Sequence, residues 1–262
     1  MTTEELIAAR RAEPWREALR KSKKNKERTD IPRVEMNELD AEYRSHTRLE
    51  EVNLGLTKEQ AMQEAQRCLD CPNPTCMQGC PVSINIPTFV KNIERGEFLE
   101  AARVLKETSA LPAVCGRVCP QEKQCESKCI HLKMGKPAVA IGYLERFAAD
   151  YERESGNISI SEVAEKNGIK IAVVGSGPAG LSFAGDMAKR GYDVTVFEAL
   201  HEIGGVLKYG IPEFRLPNKI VDVEIEGLRK MGVKFMTNCI VGKTISYDDL
   251  HADGFKGIFA AS

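Results

Sequence analysis

The pattern of apolar and polar positions divides the chain into a helical first part and a second part in which strands and helices alternate. Residues 6–28 are mostly polar and rich in lysine and arginine, with acidic residues interspersed. This composition favours a solvated helix, with a basic docking arm as the alternative. Residues 29–55 carry turn residues and little apolar periodicity, which predicts an extended segment. We therefore expect an extended or helical arm over residues 1–56.

Regular helical spacing begins at Thr57. Residues 57–60 (Thr-Lys-Glu-Gln) fit a capping box, and apolar residues recur at helical spacing after them. Pro87 suits the first turn of another helix, and apolar periodicity predicts a further helix over residues 139–151. The pattern thus predicts an all-helical domain over residues 57–156.

The character of the sequence changes after Gly168. An apolar strand over residues 170–174, a glycine-rich turn, a helix to Arg190 and a second strand over residues 193–198 follow in that order. This alternation predicts a parallel α/β sheet. We therefore expect a Rossmann-type domain over residues 168–262, so that the fold class is α followed by α/β.

Composition and charge narrow the class of protein. The chain has 262 residues, with 37 Lys and Arg against 38 Asp and Glu, for a net charge of −1. Such a balance gives no general attraction to nucleic acid or anionic membranes. No apolar run reaches the roughly 18 residues of a membrane span, and the N-terminal residues show no secretory or transit pattern. We expect a cytoplasmic protein without a nucleic-acid partner.

Cysteine is the residue type that points most directly to chemistry. Of nine cysteines, eight fall in two groups and Cys239 stands apart. The groups are Cys68-x2-Cys71-x4-Cys76-x3-Cys80-Pro81 and Cys115-x3-Cys119-x5-Cys125-x3-Cys129. In a reducing compartment such clustering indicates metal or redox chemistry. The spacing favours two [4Fe–4S] clusters, with four-cysteine zinc sites and disulfides as the alternatives. Spacing does not assign each cysteine to a cluster, and Cys239 is expected to be a small buried residue.

A nucleotide site is predicted at the start of the second part. The residues Gly175-Ser176-Gly177-Pro178-Ala179-Gly180 form a G-x-G-x-x-G between a predicted strand and a predicted helix. The glycines allow a tight turn, a close approach to a pyrophosphate and close helix–strand packing. Glu198 ends the next strand and would accept hydrogen bonds from a ribose diol, which suits FAD or NAD rather than NADP.

Several longer motifs together resemble the small-subunit family of NADPH-dependent glutamate synthase. The motifs are CLDCPNPTCMQGCPVSINIP, ALPAVCGRVCPQEKQCESKC, GYLERF, VVGSGPAG, VFEA and GGVLKYGIPEFRLP. Related proteins include the large subunit of electron-bifurcating NADH-dependent ferredoxin:NADP oxidoreductase and the N-terminal half of dihydropyrimidine dehydrogenase. The resemblance runs from about residue 52 to residue 262.

The resemblance implies a ligand set for each cluster. The first cluster would be held by Cys68, Cys71, Cys76 and Cys129. The second cluster would be held by Cys80, Cys119, Cys125 and Glu145 of the GYLERF motif, with Cys115 as a bystander. The alternative is Cys115 as the fourth ligand and Glu145 as a surface carboxylate.

The resemblance also implies FAD at the glycine-rich turn. It makes residues 175–180 and Glu198 FAD contacts, and adds Gly205, Val206, Arg215 and Val241 near the ribityl chain and flavin. Family members continue with an inserted NADPH-binding domain, so we expect the NADPH site outside this segment and regard the FAD-binding domain as partial.

The implied function is electron transfer between FAD and a partner redox subunit through two clusters, as part of an NAD(P)H-dependent oxidoreductase. Within the family, the large subunit of the ferredoxin:NADP transhydrogenase is an alternative. A non-catalytic, cluster-bearing adaptor of a larger redox complex is another. The sequence shows no Ser/His/Asp constellation, and its four scattered histidines offer no metal triad, so no catalytic residue is predicted.

Overall fold

The computed structural model describes residues 3–261, which form helices and short strands. The helices are, in chain order, α1 (Thr3–Arg11), α2 (Pro14–Ser22), α3 (Asn25–Asp30), α4 (Ala41–His46), α5 (Lys58–Gln66), α6 (Thr75–Gln78), α7 (Ile86–Glu94), α8 (Phe98–Lys106), α9 (Pro112–Val118), α10 (Ile130–Lys133), α11 (Ile141–Ser155), α12 (Pro178–Lys189), α13 (Val206–Tyr209), α14 (Asn218–Lys230) and α15 (Tyr247–Ala252). The strands are β1 (Asn37–Glu38), β2 (Asn53–Gly55), β3 (Lys170–Val174), β4 (Asp193–Phe197), β5 (Lys234–Met236) and β6 (Phe255–Ala260). Short 3₁₀ turns lie at Gln121–Lys123 and Glu126–Lys128.

The described chain separates into two compact units. Residues 3–40 and 53–159 form the first unit, and residues 41–52 and 160–261 form the second. The segment that contains α4 thus groups with the second unit, where the Val52 amide donates to the Phe214 carbonyl at 3.0 Å. Met1, Thr2 and Ser262, which the predicted domain ranges include, lie outside the described residues.

The core of the first unit is built by apolar faces of α5, α7, α8 and α11. Phe89, Ile93, Leu105 and Leu144 are fully buried there. The predicted capping box at the start of α5 is present, because the Thr57 hydroxyl accepts from the Gln60 amide and the Gln60 side chain accepts from the Thr57 amide. The antiparallel pair of β1 and β2 also belongs to this unit, outside the range 57–156 that was predicted to be helical.

The helix carrying GYLERF is longer than the sequence pattern predicts. The predicted range was 139–151, whereas α11 begins at Ile141 and ends at Ser155. Gly156 follows with a φ of 73°, the left-handed conformation that commonly ends a helix. The last turn is polar, so apolar periodicity alone did not reveal it.

The N-terminal helices differ from the expectation of a solvated arm. Arg16 in α2 and Arg28 in α3 are each 1% exposed, because they form ion pairs with Asp70 and Glu94 in the first unit. The expectation is therefore wrong for these faces of α2 and α3. A charged side chain is buried in this way only when it is paired.

The second unit contains a parallel sheet in the order β5-β4-β3-β6. The strand β3 has the predicted bounds, and β4 ends one residue earlier than predicted. The register pairs Val174 with Phe197, so the turns that follow β3 and β4 leave the same edge of the sheet. Within residues 3–261, no helix is both long enough and apolar enough to cross a bilayer.

Candidate metal centre and nucleotide site

The two cysteine groups lie side by side because of a close backbone approach at Gly79. A Cβ atom at this position would lie 2.6 Å from the Gln124 carbonyl oxygen, closer than real Cβ contacts allow. Nearby, the Thr75 hydroxyl donates to the Lys128 carbonyl at 2.6 Å. Because of these contacts, the segment that carries Cys76 and Cys80 lies against the segment that carries Cys125 and Cys129.

A second close approach brings α9 against α11. A Cβ atom at Gly116 would lie 2.5 Å from the Arg146 backbone nitrogen. Gly116 follows Cys115 directly, and Arg146 follows Glu145, which is 5% exposed. The approach therefore places α9, which contains Cys115 and is followed directly by Cys119, against the helix of Glu145.

The electrostatics of the thiols indicate two adjoining neighbourhoods, linked by the effect of Cys125 on Cys76. Burial raises the pKa of Cys76 well above its ordinary value, and the neighbouring thiols of Cys68, Cys129, Cys71 and Cys125 raise it further. Burial also raises the pKa of Cys68 to about 11, partly offset by Lys91. Cys68, Cys71, Cys76 and Cys129 thus act on one another's thiols, and Cys125 adjoins this group through Cys76. Protons would leave the thiols as a metal binds.

The remaining thiols lie close to Glu145. Burial raises the pKa of Cys125 to about 12, and the charges of Glu126 and Glu145 and the thiol of Cys80 act in the same direction. Burial raises the pKa of Cys80 as well, with Glu145 and Cys119 contributing. A hydrogen bond from Cys115 lowers the pKa of Cys119 to about 7. The second neighbourhood therefore contains Glu145 as well as Cys115.

The donor set fits iron–sulfur chemistry. None of the nine cysteines, all of which lie within residues 3–261, forms a disulfide, and Cys68, Cys76, Cys80 and Cys129 pack against the apolar core. Cysteine thiolates in an apolar surround are the donors that hold [4Fe–4S] clusters. Among the described residues, no group of three or more His, Cys, Asp or Glu side chains is arranged to hold a single metal ion.

The glycine-rich turn lies between β3 and α12, as the motif predicts. Gly175 has a φ of 97°, and its amide donates to the Phe197 carbonyl at 2.8 Å. A Cβ atom at Gly180 would lie 2.0 Å from the Gly175 carbonyl oxygen, whereas one at Gly177 would meet nothing within 4 Å. Gly180 is therefore needed for packing, and Gly177 leaves room for a ligand to approach the backbone.

Glu198 connects the ends of β3 and β4. Its carboxylate accepts hydrogen bonds from the Ser176 amide and hydroxyl and from the Leu200 amide. Burial by itself would raise the pKa of Glu198, but these hydrogen bonds outweigh it and lower the pKa on balance. The Ser176 hydroxyl in turn accepts from the Gly204 amide at 2.9 Å. The motif does not reveal this role of Ser176.

The other predicted nucleotide contacts differ in their surroundings. A Cβ atom at Gly205 would lie 2.9 Å from the Gly177 Cα, so Gly205 lies directly beside the turn. Pro178, Ala179, Val206 and Arg215 are exposed. Val241 packs against the apolar cluster that contains Phe197 and the buried Cys239.

Sequence reasoning missed several residues around the cysteines. Gly79 and Gly116 are the glycines that allow close backbone approach, and Arg16 and Lys91 are buried cations beside the first cysteine group. A glycine immediately before or after a cysteine is the one local signal that could have identified the first two. No local signal identifies Arg16, because its partner Asp70 lies 54 residues away.

Both units match known protein families. Residues 44–157 match a family model described as dihydropyrimidine dehydrogenase domain II, 4Fe-4S cluster. Residues 173–232 match a family model described as an NAD(P)-binding Rossmann-like domain. The first range includes both cysteine groups and Glu145, and the second includes the whole glycine-rich turn and Glu198.

Two curated relatives are similar to most of this chain. The NAD-dependent dihydropyrimidine dehydrogenase subunit PreT of Escherichia coli O157:H7 is 40% identical over 205 residues, which are 78% of this chain and 49% of PreT. The glutamate synthase [NADPH] small chain of Escherichia coli strain K12 is 40% identical over 195 residues, which are 74% of this chain and 41% of the small chain. The chain is a homologue of both redox subunits. The family resemblance found in the motifs is thereby confirmed.

The homology covers part of each relative. The chain spans about half the length of the PreT and glutamate synthase small chains that it matches. Among solved structures, histamine dehydrogenase from Rhizobium sp. 4-9 matches 69% of this chain and 23% of its own, with 21% identity and a TM-score of 0.37. That similarity is too low to add to the argument.

Proposed function

We propose that the chain is the electron-transfer part of an NAD(P)H-linked oxidoreductase, with two [4Fe–4S] clusters in the first unit and FAD at the glycine-rich turn of the second. The observation that carries this proposal is the arrangement of the cysteine segments. The close approaches at Gly79 and Gly116 bring together the segments that carry the eight clustered cysteines and the buried Glu145. The homology to PreT and to the glutamate synthase small chain supports the same function.

The two neighbourhoods support the ligand sets that the family resemblance implies. Cys68, Cys71, Cys76 and Cys129 would hold the first cluster, and Cys80, Cys119, Cys125 and Glu145 would hold the second. The carboxylate of Glu145 acts on the thiols of both Cys80 and Cys125. Cys115 forms a hydrogen bond with Cys119, and in the proposed ligand set it is a bystander.

The second unit supplies the groups that would bind and orient a dinucleotide. When bound, FAD would accept two electrons as a hydride, and the two clusters would each carry one electron at a time. Gly177 and the N-terminus of α12 would receive the pyrophosphate. Glu198 would accept hydrogen bonds from the ribose diol, and the bonds that it already accepts from Ser176 and Leu200 hold the carboxylate in position.

The partner and the nicotinamide cofactor follow from the class of protein. We propose a partner redox subunit that exchanges single electrons with the clusters, and an NAD(P)H site outside this segment. The two relatives have names that specify NAD in one case and NADPH in the other. The cytoplasmic location expected from composition is part of the same proposal.

Cofactor analysis of the anaerobically purified protein tests the function. We expect about eight iron and eight sulfide per chain, for two four-iron clusters, and FAD in the nucleotide released by heat. Zinc without sulfide would refute the electron-transfer proposal. The second unit matches an NAD(P)-binding family model, so NAD(H) is the alternative ligand of the glycine-rich turn. NAD(H) found in place of FAD would refute the flavin assignment and leave the cluster assignment unchanged.

A matched pair of substitutions tests the ligand set of the second cluster. In Glu145→Ala we expect loss or altered spectroscopy of the second cluster, whereas Cys115→Ala should retain the iron content and electron paramagnetic resonance (EPR) signals of the wild type. The reverse result would assign the fourth ligand to Cys115. Equal iron content and unchanged EPR signals in both variants would contradict both assignments.

A further inference from the structure

Asp70 occupies a costly position in the first cysteine group. It lies between Cys68 and Cys71 with a φ of 52°, in the left-handed region that few residues adopt other than glycine, asparagine and aspartate. Its side chain is also fully buried. A residue in this conformation persists when its surroundings hold it, and such residues are concentrated at functional sites.

Three arginines from the N-terminal helices hold Asp70. The Arg16 guanidinium donates to both carboxylate oxygens, from Nε at 3.0 and 3.1 Å and from Nη2 at 2.5 Å. Arg20 donates to the carboxylate at 2.7 Å, and Arg11 donates to the Asp70 carbonyl at 2.9 Å. Arg16 also donates to the Thr88 hydroxyl at 2.8 Å, which ties α2 to α7.

The other end of the same loop is held by Lys91. Its ammonium group donates to the Cys68 carbonyl at 2.6 Å and to Glu94 at 2.5 Å. Glu94 also pairs with Arg28 at 2.9 Å. In this network five cationic side chains face two carboxylates, so the loop from Cys68 to Cys71 lies in a positive environment.

We propose that α1 and α2 form part of the first cluster site and that Arg16 is a positioning residue, which holds Asp70 so that Cys68 and Cys71 face the same cluster. This inference rests on the proposed function, since it requires the cluster. It concerns residues that precede the range matched by the iron–sulfur family model, 44–157. The excess positive charge also favours the reduced cluster, which carries one more negative charge than the oxidised cluster.

The test compares Arg16→Gln with Lys21→Gln in the full chain. Lys21 lies on the exposed face of the same helix, where it pairs with Glu17, so its replacement removes one charge without affecting Asp70. We expect Arg16→Gln to release the iron of the first cluster to a chelator about tenfold faster than the wild type. An EPR-monitored redox titration should show a lower midpoint potential for the first cluster, by about 59 mV if the reduction equilibrium changes tenfold. Lys21→Gln should match the wild type in both measurements.

Further variants keep the inference testable if Arg16→Gln does not fold. Arg20 is 20% exposed and contributes one of the contacts to Asp70, so Arg20→Gln should show the same effects at smaller size. Arg16→Lys keeps the positive charge but loses the bidentate hydrogen bonds to the Asp70 carboxylate. Its midpoint potential should therefore be closer to the wild-type value than that of Arg16→Gln, while iron release stays fast. If the wild type holds two clusters and the Arg16 and Arg20 variants behave like Lys21→Gln, the inference is wrong. If the wild type holds no cluster, the proposed function itself fails.

Discussion

Replacing Gly116 by alanine is expected to separate α9 from α11 and to release the second cluster first. The added Cβ atom would lie 2.5 Å from the Arg146 nitrogen and 2.7 Å from the Arg146 Cα. Ordinary contact begins near 3.4 Å, so the helices would have to separate by about 1 Å in an otherwise close-packed interior. Because the opposing atoms belong to the backbone, rotation of a side chain does not relieve the overlap.

The size of the effect follows from two opposing contributions. Overpacking of a buried site costs about 1–3 kcal/mol, and a backbone clash belongs at the upper end of that range. Alanine recovers roughly 1 kcal/mol because it is a better helix former than glycine. We therefore expect a net loss of about 2 kcal/mol, or a melting temperature lower by about 4–8 °C for a protein of this size.

The measurement is a thermal melt of the anaerobic protein together with its iron content. Trp15 is the single tryptophan of the chain, and it lies in α2 of the first unit, so its fluorescence follows the unfolding of that unit. Iron should fall from about eight toward four per chain as the second cluster is lost.

The matched control is Gly227→Ala in α14, where an added Cβ atom meets nothing within 4 Å. Its helix propensity should raise stability by roughly 0.5–1 kcal/mol, measured by circular dichroism. Wild-type melting and iron content in Gly116→Ala would refute the argument from close approach.

Three further predictions concern the nucleotide turn, acid stability and the clusters. Gly180→Ala should destabilise the second unit by about 1–3 kcal/mol. Gly177→Ala should leave the melting temperature unchanged but weaken FAD binding in a titration. Equal effects of the two variants would contradict a packing role for Gly180 and a ligand-binding role for Gly177. Because the pKa of Glu198 is lowered from 4.5, its contribution to stability is present above that pH and is lost as the pH falls through the lowered pKa. Acid denaturation followed by circular dichroism should therefore be less steep in Glu198→Gln, and an identical profile would contradict this reasoning. Removing iron with a chelator should lower the melting temperature measured by Trp15 fluorescence, since cluster binding contributes to folding. An unchanged melting temperature of the apoprotein would show that the clusters do not stabilise the fold.

The elements that sequence predicted well are those specified by neighbouring residues. The capping box at Thr57 and the strand Lys170–Val174 each depend on side chains a few positions apart, and both are present as expected. The N-terminal helices were misjudged for the opposite reason. The cationic pattern of residues 6–28 is typical of a solvated helix, and the carboxylates that allow Arg16 and Arg28 to be buried lie 54 and 66 residues further along the chain.

The same distinction applies to the site. Local spacing favoured iron–sulfur clusters over zinc sites and disulfides, and it predicted a dinucleotide at the G-x-G-x-x-G between a strand and a helix. It did not specify which cysteines are neighbours. That depends on the close approaches at Gly79 and Gly116, between segments that are distant in sequence. Local spacing also did not predict that arginines lie beside the loop of Asp70, since a charge is buried favourably only when folding supplies its partner.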